Sequence, residues 1–117
     1  MIYELKPTIK VMDIWEVSLK DTVGHEQQGS RPALVIAVHD TAKLCSVVPL
    51  TSNQDASRFP FTYNIPRSSY NKLACNSIAL IFQLRCLDLT RFIQKIGILD
   101  PSHIDKIKTL VKNYLKL

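Results

Sequence analysis

Residues 32–50 read PALVIAVHDTAKLCSVVPL, and the fold turns on how this stretch is read. Two short runs rich in Val, Leu and Ile, PALVIAV (32–38) and CSVVPL (45–50), flank the polar segment HDTAK (39–43). Apolar runs of this length bounded by turn-forming residues read as buried strands, here two central strands joined by a turn. Such strands are antiparallel neighbours, so the start of the first lies beside the end of the second.

Upstream, DIWEVSL (13–19) alternates, with Trp15, Val17 and Leu19 on one face and Ile14, Glu16 and Ser18 on the other. That is the pattern of a half-buried strand. Residues 20–31 follow as a polar loop, long enough to suspect function rather than mere connection. Downstream, TSNQDASR (51–58) reads as another polar loop. FPFTYNI (59–65) reads as a strand that Pro60 confines to an edge. SSYNKLA (68–74) reads as one helical turn, SIALIFQLRCL (77–87) as one longer strand, DLTRF (88–92) as a short helix and KIGIL (95–99) as a last strand. In the closing DPSHIDKIKTLVKNYLKL, Asp100 or Ser102 can cap and Pro101 suits the first turn. Ile104, Ile107, Val111, Tyr114 and Leu115 recur at helical spacing, with Lys106, Lys108, Lys112 and Lys116 on much of the rest. This is an amphipathic helix with a basic outer face, laid on a sheet. The expected fold is mainly β with α: a small, strongly bent antiparallel sheet or partial barrel with short helices, in one domain over residues 1–117.

Composition narrows the class. The 117 residues are 46% hydrophobic and 21% charged, which argues against disorder. Fifteen basic against ten acidic residues leave +5, a modest tilt toward polyanions. Cys45, Cys75 and Cys86 are odd in number and lack Cys-x-x-Cys spacing, which argues against paired disulfides and a zinc site and for a reducing cytoplasm. The opening MIYELKPTIK has no long apolar core and no run reaches a membrane span, so neither secretion nor membrane insertion is expected.

A search for chemistry finds no phosphate-binding glycine loop, metalloprotease helix, nucleophile elbow or calcium loop. His25, His39 and His103 are scattered; a pair could share acid and base duties in phosphodiester cleavage, but His39 sits at a turn and His103 opens a helix. Arg31 and Thr51 converge at one rim of the central hairpin, where a fixed guanidinium beside a hydroxyl makes a phosphate-binding pair. Read from the residues alone, a structural Arg31 paired with Glu26 or Asp40, with Thr51 as a turn former, is equally open.

Three blocks together, GHEQQGSRPALVI, VVPLTS and NSIALIFQLRCLDLTRFIQKIGIL, resemble in order and spacing the MazF/PemK family, the sequence-specific endoribonuclease toxins of type II toxin–antitoxin systems. The resemblance runs from DIWEVSL through the closing helix. The family's Glu-Gln-x-Gly-x-Arg-Pro loop matches Glu26, Gln27, Gly29, Arg31 and Pro32, and its Leu-Thr-Ser matches Leu50, Thr51 and Ser52. Its later serine, Gln-x-Arg and Asp-x-x-Arg match Ser77, Gln83, Arg85, Asp88 and Arg91. His25 and His39 depart from the family, which often carries Ser and Asn there.

The resemblance implies an SH3-like, CcdB–MazF-type twisted sheet, a homodimer with an RNA groove across the interface, and Arg31 and Thr51 as principal catalytic residues with Glu26 shaping the site. The substrate's own 2′-hydroxyl would attack the phosphate, giving 2′,3′-cyclic phosphate and 5′-hydroxyl ends with no metal or other cofactor. Arg31 would stabilise the phosphorane charge, Thr51 hold a phosphate oxygen, and Glu26, or His25, act as base. Donors for RNA are Lys20, His25, Gln28, Asn53, Gln54 and Arg58 in the two loops, together with Ser52, Ser77, Gln83 and Arg85. Arg85 is open between a groove and a structural role, and Arg91 reads as a tie between short helix and sheet. The implied partner is an antitoxin with an acidic flexible tail, with DNA contacted only through it. Two other readings stand beside the enzyme: a catalytically inactive toxin-fold module that regulates transcription, and a CcdB-like gyrase poison, against which the ending NYLKL lacks a tryptophan.

Overall fold

A computed structural model describes residues 8–19 and 29–117 of the chain. Its strands are β1 (Asp13–Ser18), β2 (Ser30–His39), β3 (Leu44–Thr51), β4 (Thr62–Ile65), β5 (Ser77–Leu80), β6 (Arg85–Asp88) and β7 (Phe92–Ile98), followed by helix α1 (Pro101–Leu115). Among the described residues, three 3-10 helices, Gln54–Arg58, Ile81–Gln83 and Leu89–Arg91, fill connections. The sheet runs β4-β5-β3-β2-β1-β7, with β6 also paired to β3, and every pairing is antiparallel.

The β2–β3 hairpin forms as its sequence requires. Ala33 faces Pro49, Leu34 faces Val48 and Val35 faces Val47, and an irregularity between Val35 and Ala37 shifts the register nearer the turn. Successive strand residues point to opposite sides of a sheet, and here each side has its own core. Ile14, Leu34, Val48 and Leu50 belong to a cluster that includes Ile107 of α1. Trp15, Val17, Ala33, Val35, Cys45, Val47, Leu87 and Phe92 make the other, with Trp15 and Phe92 edge to face at 5.8 Å. The strand 13–19 is therefore covered on both faces at Ile14 and Trp15, each fully buried, rather than half-buried throughout. Helix α1 supplies the second cover.

The segment 77–87, which reads as one strand, is two. β5 pairs with the end of β3 (Leu50 with Ala79, Thr51 with Ile78), whereas β6 pairs with its beginning (Leu44–Val47 with Asp88–Arg85). The 3-10 helix Ile81–Gln83 carries the chain from one station to the next. Pro49, which offers no ladder donor, lies where β3 changes neighbour. The polar loop 51–58 likewise contains a 3-10 helix, capped by the Asn53 side chain accepting from the Asp55 N–H. β4 is an edge strand, as Pro60 indicates.

One turn locks the sheet to α1. The Lys72 N–H reaches the Ser68 carbonyl at 2.9 Å, closing the single turn expected in 68–74. Asn71, fully buried, accepts from the Ser68 and Leu73 N–H groups and donates to the Pro66 carbonyl and to Asp100. Asp100 occupies the N-cap position of α1 with Pro101 behind it, but its carboxylate is engaged by Asn71 rather than by a capping N–H. Gly97 of β7 passes so close to this turn that a Cβ would run into the Tyr70 and Asn71 carbonyls. Among the described residues no helix is long and apolar enough to cross a membrane.

Candidate functional site

The register of the central hairpin places the two residues of interest. The β2–β3 pairing ends at Ala33–Pro49, and Arg31 and Thr51 lie two residues beyond it on their strands, at positions the same register would set opposite each other. On their outer sides Arg31 faces Val17 of β1 and Thr51 faces Ile78 of β5. Residues two apart on a strand share a face, so Arg31 lies on the side of Ala33 and Thr51 on the side of Pro49, one face of the sheet at the rim of the Trp15 core. Arg31 is exposed, whereas Thr51 is only 7% exposed. The Thr51 Oγ1 accepts the Asn53 N–H at 3.2 Å, which directs the hydroxyl and leaves its own O–H to donate.

The β1–β2 side of the rim is also ordered. The Leu19 N–H donates to the Gly29 carbonyl at 2.8 Å, and Gly29 sits at φ +78°, a backbone region that disfavours a side chain. Beside it the Ser30 hydroxyl and the Gln94 amide donate to the Glu16 carboxylate. The Ser30 bond and then the Gln94 bond hold Glu16 below the usual carboxylate range, so it is ionised at neutral pH. Lys20, His25, Glu26 and Gln28 lie outside the described residues.

On the other side of Thr51 a cleft of about 220 Å³ opens, lined by Thr51, Asn53, Asp55, Ala56, Arg58, Phe59, Leu80, Phe82 and Gln83. Phe59 and Phe82 tilt against each other at 5.6 Å, and the Arg58 guanidinium lies 4.8 Å over the Phe59 ring. Three expected RNA-contacting residues, Asn53, Arg58 and Gln83, thus meet in one depression beside Thr51, and Ser52 is exposed next to it. Gln54 turns instead to backbone, donating to the Asn76 carbonyl at 3.0 Å. Ser77 is 4% exposed and its hydroxyl donates to the Cys75 carbonyl, a bond that holds its own turn.

Arg85 faces Val47 in the β3–β6 ladder and so lies on the same face as Arg31 and Thr51, further along β3. Asp88 does not claim it: that carboxylate accepts from the backbone and hydroxyl of Thr90, and those two bonds lower its pKa. Arg91 reaches the Ser18 carbonyl at 3.5 Å, tying the short helix to β1. His39 stays at the hairpin turn near Ser46, and His103 in α1 meets the Tyr63 hydroxyl at 2.6 Å, far from the Arg31–Thr51 row in the fold's connectivity. The cysteines are free thiols. Among the described residues no three His, Cys, Asp or Glu side chains gather as metal ligands.

Sequence reasoning missed Phe59, Phe82 and Asp55. A signal existed: two aromatic residues bracket an edge hairpin, one of them next to Arg58 in a polar loop. The assembled site offers a charged guanidinium, an oriented hydroxyl and an aromatic surface within one concave stretch, a set suited to a phosphodiester and an unstacked ring.

A family model described as the PemK-like, MazF-like toxin of type II toxin-antitoxin systems matches residues 10–115. Endoribonuclease EndoA of Bacillus subtilis is 30% identical over 113 residues, 93% of this chain and 96% of that one. Endoribonuclease PemK of Escherichia coli is 47% identical over 49 residues, a stretch covering 39% of this chain and 37% of that one. Among solved structures, MazF from Deinococcus radiodurans superposes with a TM-score of 0.81 at 21% identity, over 96% of this chain and 100% of that one.

Proposed function

Since the chain belongs to the PemK-like, MazF-like toxins of type II toxin–antitoxin systems, we propose that it is an endoribonuclease that cleaves single-stranded RNA at the Arg31–Thr51 rim. The observation that carries this reading is that Arg31 and Thr51 both lie two residues past the last β2–β3 pair, Ala33–Pro49, on one face of the sheet, with the Thr51 hydroxyl directed by Asn53.

In this mechanism the RNA supplies the nucleophile, the 2′-hydroxyl beside the scissile phosphate. Its attack builds negative charge on the phosphorane oxygens and expels the 5′-oxygen, leaving 2′,3′-cyclic phosphate and 5′-hydroxyl ends. Arg31 stabilises that charge. A guanidinium has almost no neutral fraction at neutral pH, so electrostatic stabilisation suits it better than proton abstraction. A preorganised donor aimed at developing charge contributes about 3 kcal/mol. Thr51 donates its O–H to a non-bridging oxygen and fixes the phosphate against the guanidinium. Glu26 is the proposed base, and Lys20, His25, Gln28, Ser52, Asn53, Arg58, Gln83 and Arg85 hold the strand on either side. Ser77 is withdrawn from that set, because its buried hydroxyl already serves the Cys75 carbonyl.

A rim built for phosphates also attracts an acidic peptide, and the proposed regulator is a cognate antitoxin whose acidic tail covers Arg31 and Arg85. A homodimer in the cytoplasm is the proposed working form. The apolar groove of about 230 Å³ between α1, the Val11–Met12 turn and Ile36 of β2, lined by Val11 and Leu115 at about half exposure, supports a protein contact there.

The test is incubation of the purified protein with a long RNA in EDTA, followed by mapping of cut sites and end groups. Cleavage to cyclic phosphate and 5′-hydroxyl ends is expected. Chelator-sensitive cutting, or 3′-hydroxyl products, overturns the mechanism.

A further inference from the structure

Phe59 and Phe82 belong to neither core. Their neighbour Phe61 packs into the α1-side core and meets Tyr114 edge to face at 5.3 Å, as a structural aromatic does. Phe59 instead leaves 43% of its surface in solvent, although burial of a ring is strongly favourable. It is held there by Phe82 on one side and by the Arg58 guanidinium over its ring. Both phenylalanines line the cleft beside Thr51. At about 220 Å³ the cleft falls below the range of roughly 300–1,000 Å³ for drug-sized ligands, a size for one planar ring system. Exposed aromatics beside a cation are the means by which proteins hold unstacked bases of single strands.

The polar lining gives the pocket a preference. Asp55 lies in the first turn of the 3-10 helix Gln54–Arg58, and its backbone N–H is fixed by the Asn53 side chain. An ionised carboxylate only accepts hydrogen bonds. Cytosine, adenine and guanine each present an amino group to such an acceptor. Uracil presents one N–H flanked by two carbonyl oxygens, which a carboxylate repels.

We propose that this cleft is a nucleobase pocket in which one unstacked base of the RNA lies against Phe59 and Phe82, while Asp55 selects amino-bearing bases over uracil. The inference rests on the ribonuclease reading above and adds to it a site that discriminates sequence. Thr51 forms part of the pocket wall, so the selected base lies next to the cut phosphate, at a fixed spacing from it.

The experiment maps cut sites on a random-sequence RNA pool for the wild-type chain, Asp55→Asn, Phe59→Leu and, as a control on α1, Asp105→Asn. In the wild type, one position at fixed distance from the cut is expected to show uracil depleted at least tenfold. Asp55→Asn keeps the shape but adds a donor for a uracil carbonyl, so the depletion there should vanish. Phe59→Leu should raise KM more than it lowers kcat, and Asp105→Asn should leave the base profile as in the wild type. Uracil accepted at every position, or an Asp55→Asn profile identical to the wild type, overturns the proposal. If the wild type cuts no RNA, the ribonuclease reading falls and the pocket is judged by NMR titration with CMP and UMP. Resonances of Phe59, Phe82 and Asp55 should then respond to CMP at no more than one-tenth of the UMP concentration. Equal responses, or none at these residues, reject the pocket.

Discussion

Asn71 and Asn53 each organise a short turn, under opposite conditions. Asn71 is fully buried and spends its amide on four partners, from the Pro66 carbonyl to the α1 cap Asp100. Asn53 is exposed, uses its side-chain oxygen to start a 3-10 helix, and gives its N–H to the Thr51 hydroxyl. A buried amide is costly to leave unpaired, so the first turn is committed to the fold. The second turn leaves hydroxyl, carboxylate and rings facing an open cleft. The sheet therefore has a structural end at the β7–α1 junction and, at the β2–β3 rim, the end proposed to be reactive, and substitutions at the two ends should fail in different ways.

The largest effect is expected at the reactive end. Arg31→Ala should lower the rate of RNA cleavage about 10²–10³-fold, the cost of losing one preorganised donor to transition-state charge, while the melting temperature changes little. Single-turnover kinetics and a thermal melt on the same preparation check both halves. The comparison would break if the variant lost stability instead of activity.

At the structural end the expected failure is the reverse. Asn71→Ala removes the partners of two N–H groups, of the Pro66 carbonyl and of the Asp100 carboxylate, at a cost of about 3 kcal/mol. Denaturant titration should show the lower midpoint, and activity per folded molecule should be kept. A smaller change is expected for Asn53→Ala: about 1 kcal/mol of stability from the lost cap, with a fall in kcat because the helix no longer positions the N–H that directs Thr51.

The smallest effect concerns pH. Burial raises the Asp100 carboxyl, but the Ser68 and Asn71 hydrogen bonds outweigh it and hold the group below its usual range. A carboxyl depressed in the folded state stabilises the fold above its unfolded pKa of about 3.9. That stabilisation drains away as pH falls through the lower folded value. Acid titrations of wild type and Asp100→Asn should therefore begin to approach each other at about pH 4 and meet only once pH has fallen past the lower folded value. A difference between them that persists in acid would show that Asp100 acts by packing rather than by charge.

Much of this division could be read from the chain. The hairpin PALVIAVHDTAKLCSVVPL dictates its own register, and that register brings Arg31 to Thr51 across residues 20 positions apart. Pro60 marked the edge, and the spacing of Ile104, Ile107 and Val111 marked the helix. The break at Ile81–Gln83 was hidden because no Gly or Pro announces it. It arises only because β3 has two neighbours on one side. The Phe59–Phe82 pair was hidden for a related reason, since the β4–β5 pairing of Thr62 with Leu80 is needed to bring the rings together. Composition reports an aromatic residue but not whether a core has room for it.

The claim that the β2–β3 rim catalyses attack by the substrate's own 2′-hydroxyl is tested most directly with an oligoribonucleotide containing one cleavage site. Two versions are compared, one all-ribose and one with a single 2′-deoxy nucleotide on the 5′ side of the scissile phosphate. The account predicts that the all-ribose strand is cut to a 2′,3′-cyclic phosphate and the substituted strand stays intact at that position. Cleavage of the substituted strand at an equal rate would contradict it.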